Sequence, residues 1–205
     1  MITLPEAFKK RMKELFKDEY EAFEASYEKE RVQGLRFNSL KSVEGRKIGW
    51  EKEALPGLAA LMENRLGTSL TPIPWVKEGY YYEAQARPGR HPFHEAGVYY
   101  IQEPSAMAVT ELLDPQPGER ILDLCAAPGG KSSHIASRLK GKGFLLSNEI
   151  HPARAKILSQ NMERMGVSNG VVVNEEPSRL AAVFPEFFDG IVVDALLRRG
   201  YVQKG

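Results

Sequence analysis

Apolar positions in the first part of the chain recur at helical spacing. Phe8, Met12, Leu15, Phe16, Tyr20 and Phe23 fall three and four apart among Lys and Glu, which predicts one or two amphipathic helices between Leu4 and Arg31. From Gly34 to Lys41 the period drops to two. Leu35, Phe37 and Ser39 face one way and Arg36, Asn38 and Leu40 the other, as in a short strand. Residues 42–66 read as helix again, broken at Pro56-Gly57. Across residues 71–98, Pro72, Pro74, Pro88 and Pro92 among many tyrosines predict short strands and turns.

The texture changes near residue 98. Val98 to Ile101 is a short β-rich run, and Ser105 to Leu113 a helix ended by Asp114-Pro115. Strands are then predicted at Ile121–Leu124, Gly143–Glu149, Gly170–Asn174 and Asp189–Asp194, with helices at Ser132–Leu139 and Pro152–Met165 between the first three. Alternating strand and helix imply parallel βαβ units with right-handed crossovers, and a sheet of four strands in the order 3-2-1-4 is expected. The expected division is a small α+β domain over residues 1–97 and an α/β domain of Rossmann type over 98–205.

The chain has 205 residues, with 28 Lys and Arg against 27 Asp and Glu, an ordinary globular balance that excludes global disorder. No apolar run is long enough for a bilayer, and Met1 to Pro5 lead into charged residues rather than a signal core. The single cysteine, Cys125, excludes an internal disulfide framework, and the four histidines show no metal-ligand spacing. These features predict a cytoplasmic protein without membrane or metal partners.

The segment Cys125-Ala126-Ala127-Pro128-Gly129-Gly130-Lys131-Ser132 joins the first of these strands to its helix. Its small residues admit a ligand close to the backbone, and the helix N-terminus offers free N–H groups. A phosphate-binding P-loop is one reading: Gly130-Lys131-Ser132 fits its end, and Asp194 closes an apolar strand as a magnesium ligand would. Yet Cys125 stands where the first glycine belongs, and Pro128 removes a donor. A nucleoside-binding turn instead requires an acidic residue at the end of the next strand, about 20 residues on. Glu149 stands there, and this reading is preferred.

Tyr100 to Met107, Asp123-Leu124-Cys125-Ala126-Ala127-Pro128-Gly129-Gly130-Lys131 and Asn148-Glu149-Ile150 resemble the Sun-type RNA cytosine-5 methyltransferases, in particular their RsmF-like ribosomal RNA branch. Leu4-Pro5, Gly34 to Asn38, Pro74-Trp75 and His91-Pro92 resemble that branch's leader domain. The resemblance implies a truncated Rossmann-type methyltransferase domain using S-adenosylmethionine. It places the methionyl and ribose parts of the cofactor at Cys125 to Lys131 and the ribose hydroxyls on Glu149. Adenine meets Glu176, or alternatively Asn174 two residues before it, and Asp194 closes the site. Arg154 either lines the pocket or pairs along its helix. Cys125 is read as a small residue packed under the turn, not as a nucleophile, and Lys131 as a charge contact or a solvent-facing lysine.

The family's chemistry needs a thiolate that attacks carbon 6 of cytosine, in an Asp-Ala-Pro-Cys-Ser-Gly-Glu-Gly-Met-Phe-Arg-Lys motif after the fourth strand, and a second cysteine further on. Here Asp194-Ala195 runs into Leu196-Leu197-Arg198-Arg199-Gly200-Tyr201-Val202-Gln203-Lys204-Gly205. Removing two bases from one coding of the family motif gives this tail, so a frame-shifted, inactive fragment is expected. The alternatives are a non-catalytic cofactor- or RNA-binding module and, more distantly, a P-loop nucleotidase. Arg36, Lys41, Arg87, Arg90 and His91 near Tyr80, Tyr81 and Tyr82 form a candidate RNA surface, against the alternative that the tyrosines are core. Ile191 to Val193 is expected to be an exposed strand edge open to self-association, and the tail after Ala195 poorly ordered.

Overall fold

A computed structural model of the chain describes residues 4–29, 31–43, 46–47 and 54–195. The expectation for the tail after Ala195 lies outside these residues. The chain divides into two compact units, residues 1–32 and 33–205.

In the first unit the helical pattern forms two helices, α1 (Glu6–Phe16) and α2 (Tyr20–Ser26), joined by a 3-10 turn at Lys17–Glu19. The break falls at Lys17, whose positive φ of 46° ends α1. The aromatic stripe then packs on itself: Phe16 stacks on Phe23 at 4.5 Å, and Phe23 meets the edge of Tyr27 at 5.4 Å. Lys9 ties the two helices through Glu24 at 3.4 Å.

The second unit begins with strand β1 (Gln33–Phe37), the short strands β2 (Ser42–Val43) and β3 (Arg46–Lys47), and helix α3 (Ala54–Leu66). Next come β4 (Leu70–Pro72), β5 (Gly79–Tyr82), a 3-10 turn at Pro88–Arg90, α4 (Pro92–Glu95) and β6 (Tyr99–Ile101). The helical expectation for residues 42–66 is corrected at both ends. Ser42–Val43 and Arg46–Lys47 pair as antiparallel strands, and α3 runs through Pro56-Gly57. Pro56 sits in the first turn of α3, where its missing N–H has no intrahelical partner to lose. Strands β4, β5, β1 and β6 lie in that order in one antiparallel sheet. Leu35, Phe37, Met62, Tyr80 and Tyr99 are buried together against it.

Helix α5 (Pro104–Leu113) follows, its N-terminus capped by Glu103, which accepts a hydrogen bond from the Ala106 N–H at 2.9 Å. The chain then alternates: β7 (Arg120–Asp123), α6 (Gly130–Leu139), β8 (Phe144–Asn148), α7 (Pro152–Met165), β9 (Gly170–Val173), α8 (Pro177–Val183) and β10 (Gly190–Val192). All four strands are parallel, in the order β10-β7-β8-β9, which is the expected 3-2-1-4 read from the other edge. Side chains alternate across this sheet. Ile121 and Leu145 pack with Ile135, Leu139, Leu158 and Met162 of α6 and α7. Leu122 and Leu146 pack with Leu180 of α8 on the opposite face. Truncating a core leucine such as Leu145 to Ala costs about 2 to 5 kcal/mol. The fold is thus α/β of Rossmann type, with a partial parallel sheet preceded by a small α+β region. Among the described residues, no helix is long and apolar enough to cross a membrane.

Candidate functional site

The carboxyl ends of β7, β8, β9 and β10 open onto the same edge of the parallel sheet, where loops and helix N-termini gather. After β7 the chain is tethered to both neighbouring strands. The Leu124 N–H donates to the Val192 carbonyl at 2.9 Å, and the Ala126 N–H to the Asn148 carbonyl at 2.8 Å. Ala126 and Ala127 are buried, and a cis peptide links Ala127 to the exposed Pro128. Gly129 caps α6 with φ of 114°, and a Cβ there would lie 3.2 Å from Leu158 Cδ1. Gly130 opens α6, where a Cβ would meet Tyr100 and Gln102 at 3.2 and 3.3 Å. The first turn of α6 has N–H groups with no intrahelical partner at the carboxyl edge of the sheet, suited to a polar or anionic group.

Glu149, just past β8, is buried yet has both carboxylate oxygens held. Oε1 accepts the His151 N–H at 3.0 Å, and Oε2 faces Arg154 Nη1 at 3.1 Å. Arg154 Nη2 also donates to the Ala127 carbonyl at 2.7 Å, and Asn161 Nδ2 to the Pro128 carbonyl at 2.7 Å. So α7 holds the glycine loop from one side and the acidic residue from the other. Arg154 therefore lines the site instead of pairing along its own helix.

Asn148, to which the sequence reading assigns no role, connects three loops. Its Nδ2 donates to the carbonyls of Leu124 and Glu175 at 3.2 and 3.1 Å, and its Oδ1 accepts the Glu175 N–H at 3.0 Å. Asn174 donates to the Glu149 carbonyl at 2.6 Å. Glu176 stands exposed at the N-cap of α8, with no hydrogen bond from its side chain to the helix. Asn174 is thus joined to Glu149 directly, whereas Glu176 lies on the same loop and, among the described residues, its side chain does not cap α8.

On the β10 side, Lys131 of α6 pairs with Asp194 at 2.5 Å. This contact excludes the solvent-facing reading of Lys131. Beneath the loop, Asp123 accepts a hydrogen bond from Ser132 Oγ at 2.7 Å, and Ser147 Oγ donates to Ser132 Oγ at 3.0 Å. Burial raises the Asp123 carboxyl to about 6, against the lowering pull of the Ser132 hydroxyl and the Lys131 ammonium. Asp123 and Ser132 lie inside the glycine motif, but the motif does not reveal that they bond each other under it. Burial also raises the Cys125 thiol, helped by the carboxylates of Asp123, Glu149 and Asp194. The thiol form is therefore favoured over the thiolate.

The expected RNA surface is corrected at two points. Arg36 is completely buried on one face of the first sheet, and Tyr80, paired with Leu35 on the opposite face, belongs to the core. Arg87 and Arg90 are exposed, whereas His91 caps α4 through its Nδ1. Among the described residues, Glu78, Glu111 and His134 are close enough to hold a metal, with donor atoms within 4.8 Å of one another. Arg138 reaches both carboxylates and places one positive charge at this cluster.

Two family profiles match the chain. The N-terminal domain of 16S rRNA methyltransferase RsmF matches residues 4–104, and 16S rRNA methyltransferase RsmB/F matches residues 110–197. Ribosomal RNA small subunit methyltransferase F of Escherichia coli O1:K1 is 38% identical over 135 residues, 63% of this chain and 28% of that protein. The Salmonella paratyphi B protein of the same name is 39% identical over the same shares. This chain therefore spans only 28% of the length of these relatives. Among solved structures, a methyltransferase homolog protein from Pyrococcus horikoshii superposes with a TM-score of 0.74 at 27% identity, covering 92% of this chain and 58% of that one. NSun6 from the same organism, solved with SFG, gives a TM-score of 0.76 at 20% identity over 94% of this chain and 70% of that one.

Proposed function

The chain belongs to the RsmF-type branch of the Sun family of RNA methyltransferases, and from that membership we propose that it carries the cofactor-binding part of an enzyme acting on carbon 5 of cytosine in ribosomal RNA. The cofactor is S-adenosylmethionine, which supplies the methyl group when bound. Cys125 to Lys131 cradle its methionyl and ribose parts, Glu149 takes the ribose hydroxyls, Asn174 or Glu176 meets the adenine, and Asp194 closes the site. The observation that carries this reading is the buried Glu149 carboxylate, tied through Arg154 to the Ala127 carbonyl of a loop made of small residues. A two-oxygen acceptor beside an open backbone suits a nucleoside diol. A P-loop reading assigns no work to Glu149.

In this proposal residues 1–97 form the leader that meets RNA, residues 98–205 form the methyltransferase part, and the protein works in the cytoplasm. The chain as given binds without transferring. Its one cysteine, Cys125, lies in the cofactor loop with its thiol raised by burial, so it does not serve as the thiolate that the family's chemistry requires.

Calorimetry with S-adenosylmethionine and with ATP separates the readings. The expected result is binding of the first and not the second. Incubation with radiolabelled S-adenosylmethionine and unmodified 16S ribosomal RNA is expected to give no RNA label. ATP binding without S-adenosylmethionine binding overturns the cofactor assignment. Label in the RNA overturns the inactivity.

A further inference from the structure

Arg36 projects from β1 on the face opposite Leu35 and Phe37 and is completely buried. The alternation of the strand should send such a side chain to water. Instead it ends at the first turn of α6, 94 to 97 residues away in sequence. Its Nη2 donates to Ser133 Oγ at 2.9 Å and to the Gly130 carbonyl at 3.3 Å, while Nε donates to Gln102 Oε1 at 3.3 Å. Ser133 Oγ passes its own hydrogen to the same Gly130 carbonyl at 3.1 Å. Gly130 has no side chain to fend off this approach. A Cβ there would lie 3.2 to 3.4 Å from Tyr100 of β6 and Gln102 just beyond it.

We propose that Arg36 is a positioning residue for the cofactor loop, holding Gly130 and Ser133 so that the start of α6 keeps its N–H groups in place for the ligand. This rests on the reading of Cys125 to Lys131 as the cofactor site.

Two observations favour positioning over simple cohesion of the unit. First, the placement is costly. Burial lowers the guanidinium to about 10 despite the nearby Glu78 carboxylate, and Nη1 has no hydrogen-bond partner. An apolar side chain of similar volume fills such a space without desolvating a charge. Second, the first sheet has another buried polar tie that avoids the loop. Asn38 Nδ2 donates to the carbonyls of Gly97 and Met165 at 2.8 Å each, joining the region of β1 to the end of α7. Asn38 therefore serves as the matched control.

The test compares R36M, R36K, S133A and N38A with the unchanged full chain. Hydrogen exchange is read at the amides of Ser133 to Ile135 without ligand, affinity for S-adenosylhomocysteine by calorimetry, and stability by thermal melting. S133A guards against an R36M protein that does not fold. R36M and S133A are expected to exchange these amides at least tenfold faster and to bind at least fivefold more weakly, with R36K between them and the unchanged chain. N38A is expected to lower the melting temperature while leaving loop exchange and affinity unchanged. Loop exchange in R36M and S133A no faster than in N38A overturns the proposal. If the unchanged chain binds no S-adenosylhomocysteine, the cofactor assignment fails, and the exchange comparison alone then decides whether Arg36 positions the loop.

Discussion

Arg154 Nη1 lies 3.1 Å from Glu149 Oε2 while Nη2 of the same guanidinium donates to the Ala127 carbonyl at 2.7 Å. One side chain therefore sets the distance between the acid after β8 and the loop after β7. It also means that Glu149 is pre-oriented, so a ribose diol gains its hydrogen bonds without first ordering the carboxylate. Glu149→Ala is expected to weaken S-adenosylmethionine binding by about 1.5 to 3 kcal/mol, the value of charge-assisted hydrogen bonds. Calorimetry reads this directly, and unchanged affinity removes Glu149 from the site.

Gly129 is the position where backbone conformation is most demanding. Its φ of 114° lies outside the range L-residues occupy comfortably, and the added Cβ would press on Leu158 Cδ1 at 3.2 Å. Gly129→Ala is expected to cost about 1 to 3 kcal/mol of stability and to weaken cofactor binding as the loop shifts. Urea unfolding and calorimetry on the same sample check both. An alanine variant with unchanged stability shows that the loop relaxes freely.

The alternation of strands and helices after residue 98 is legible because each period is local, whereas the sheet order comes from the family resemblance, since right-handed crossovers alone allow several orders. Glu149 was legible because its motif fixes a spacing along the chain. Arg36 was not, since a polar residue on a strand of period two reads as solvent-facing, and the surface that covers it comes from α6. The same holds for Asn148, whose bonds to Leu124 and Glu175 join loops distant in sequence. The helix expected across residues 42–66 with a break at Pro56-Gly57 forms as α3 from Ala54 to Leu66, and its start and its break differ for another reason. Single-residue propensity does not foresee that Ser42–Val43 and Arg46–Lys47 pair as antiparallel strands, or that Pro56 is harmless in a first turn.

Asp123 should leave a mark on the pH dependence of stability. Its folded carboxyl keeps its proton to about pH 6, whereas an unfolded aspartate releases it near pH 3.9. Between these values the unfolded chain binds fewer protons, so this group's contribution falls as pH rises, by about 3 kcal/mol in all. Buried His134 acts in the opposite sense. Burial, then Arg36 and Arg138, hold its imidazole well below its usual range, so its contribution rises with pH up to about 6.5. The two slopes partly cancel in the unchanged chain. Asp123→Asn keeps an acceptor for Ser132 but removes the titration. The stability of this variant relative to the unchanged chain is expected to rise by about 2 kcal/mol from pH 4 to pH 7. Urea unfolding across that range measures it, and a difference flat in pH removes Asp123 as a titrating group.

Among the described strands, β10 stands at one end of the parallel sheet and pairs only with β7. Ile191 on it is 55% exposed and Val193 just beyond it 59% exposed. An apolar strand with a free row of backbone donors and acceptors is a template for a second chain. Self-association that grows with protein concentration is therefore expected, through pairing along Gly190 to Val192. Ile191→Lys places a charge on that edge at a site already open to water, so it should reduce association while changing the stability of the monomer by no more than about 0.5 kcal/mol. Light scattering over a concentration series, paired with urea unfolding at low concentration, separates the two effects. If the unchanged chain stays a monodisperse monomer throughout, or if Ile191→Lys associates as strongly as the unchanged chain, the β10 edge is not the contact.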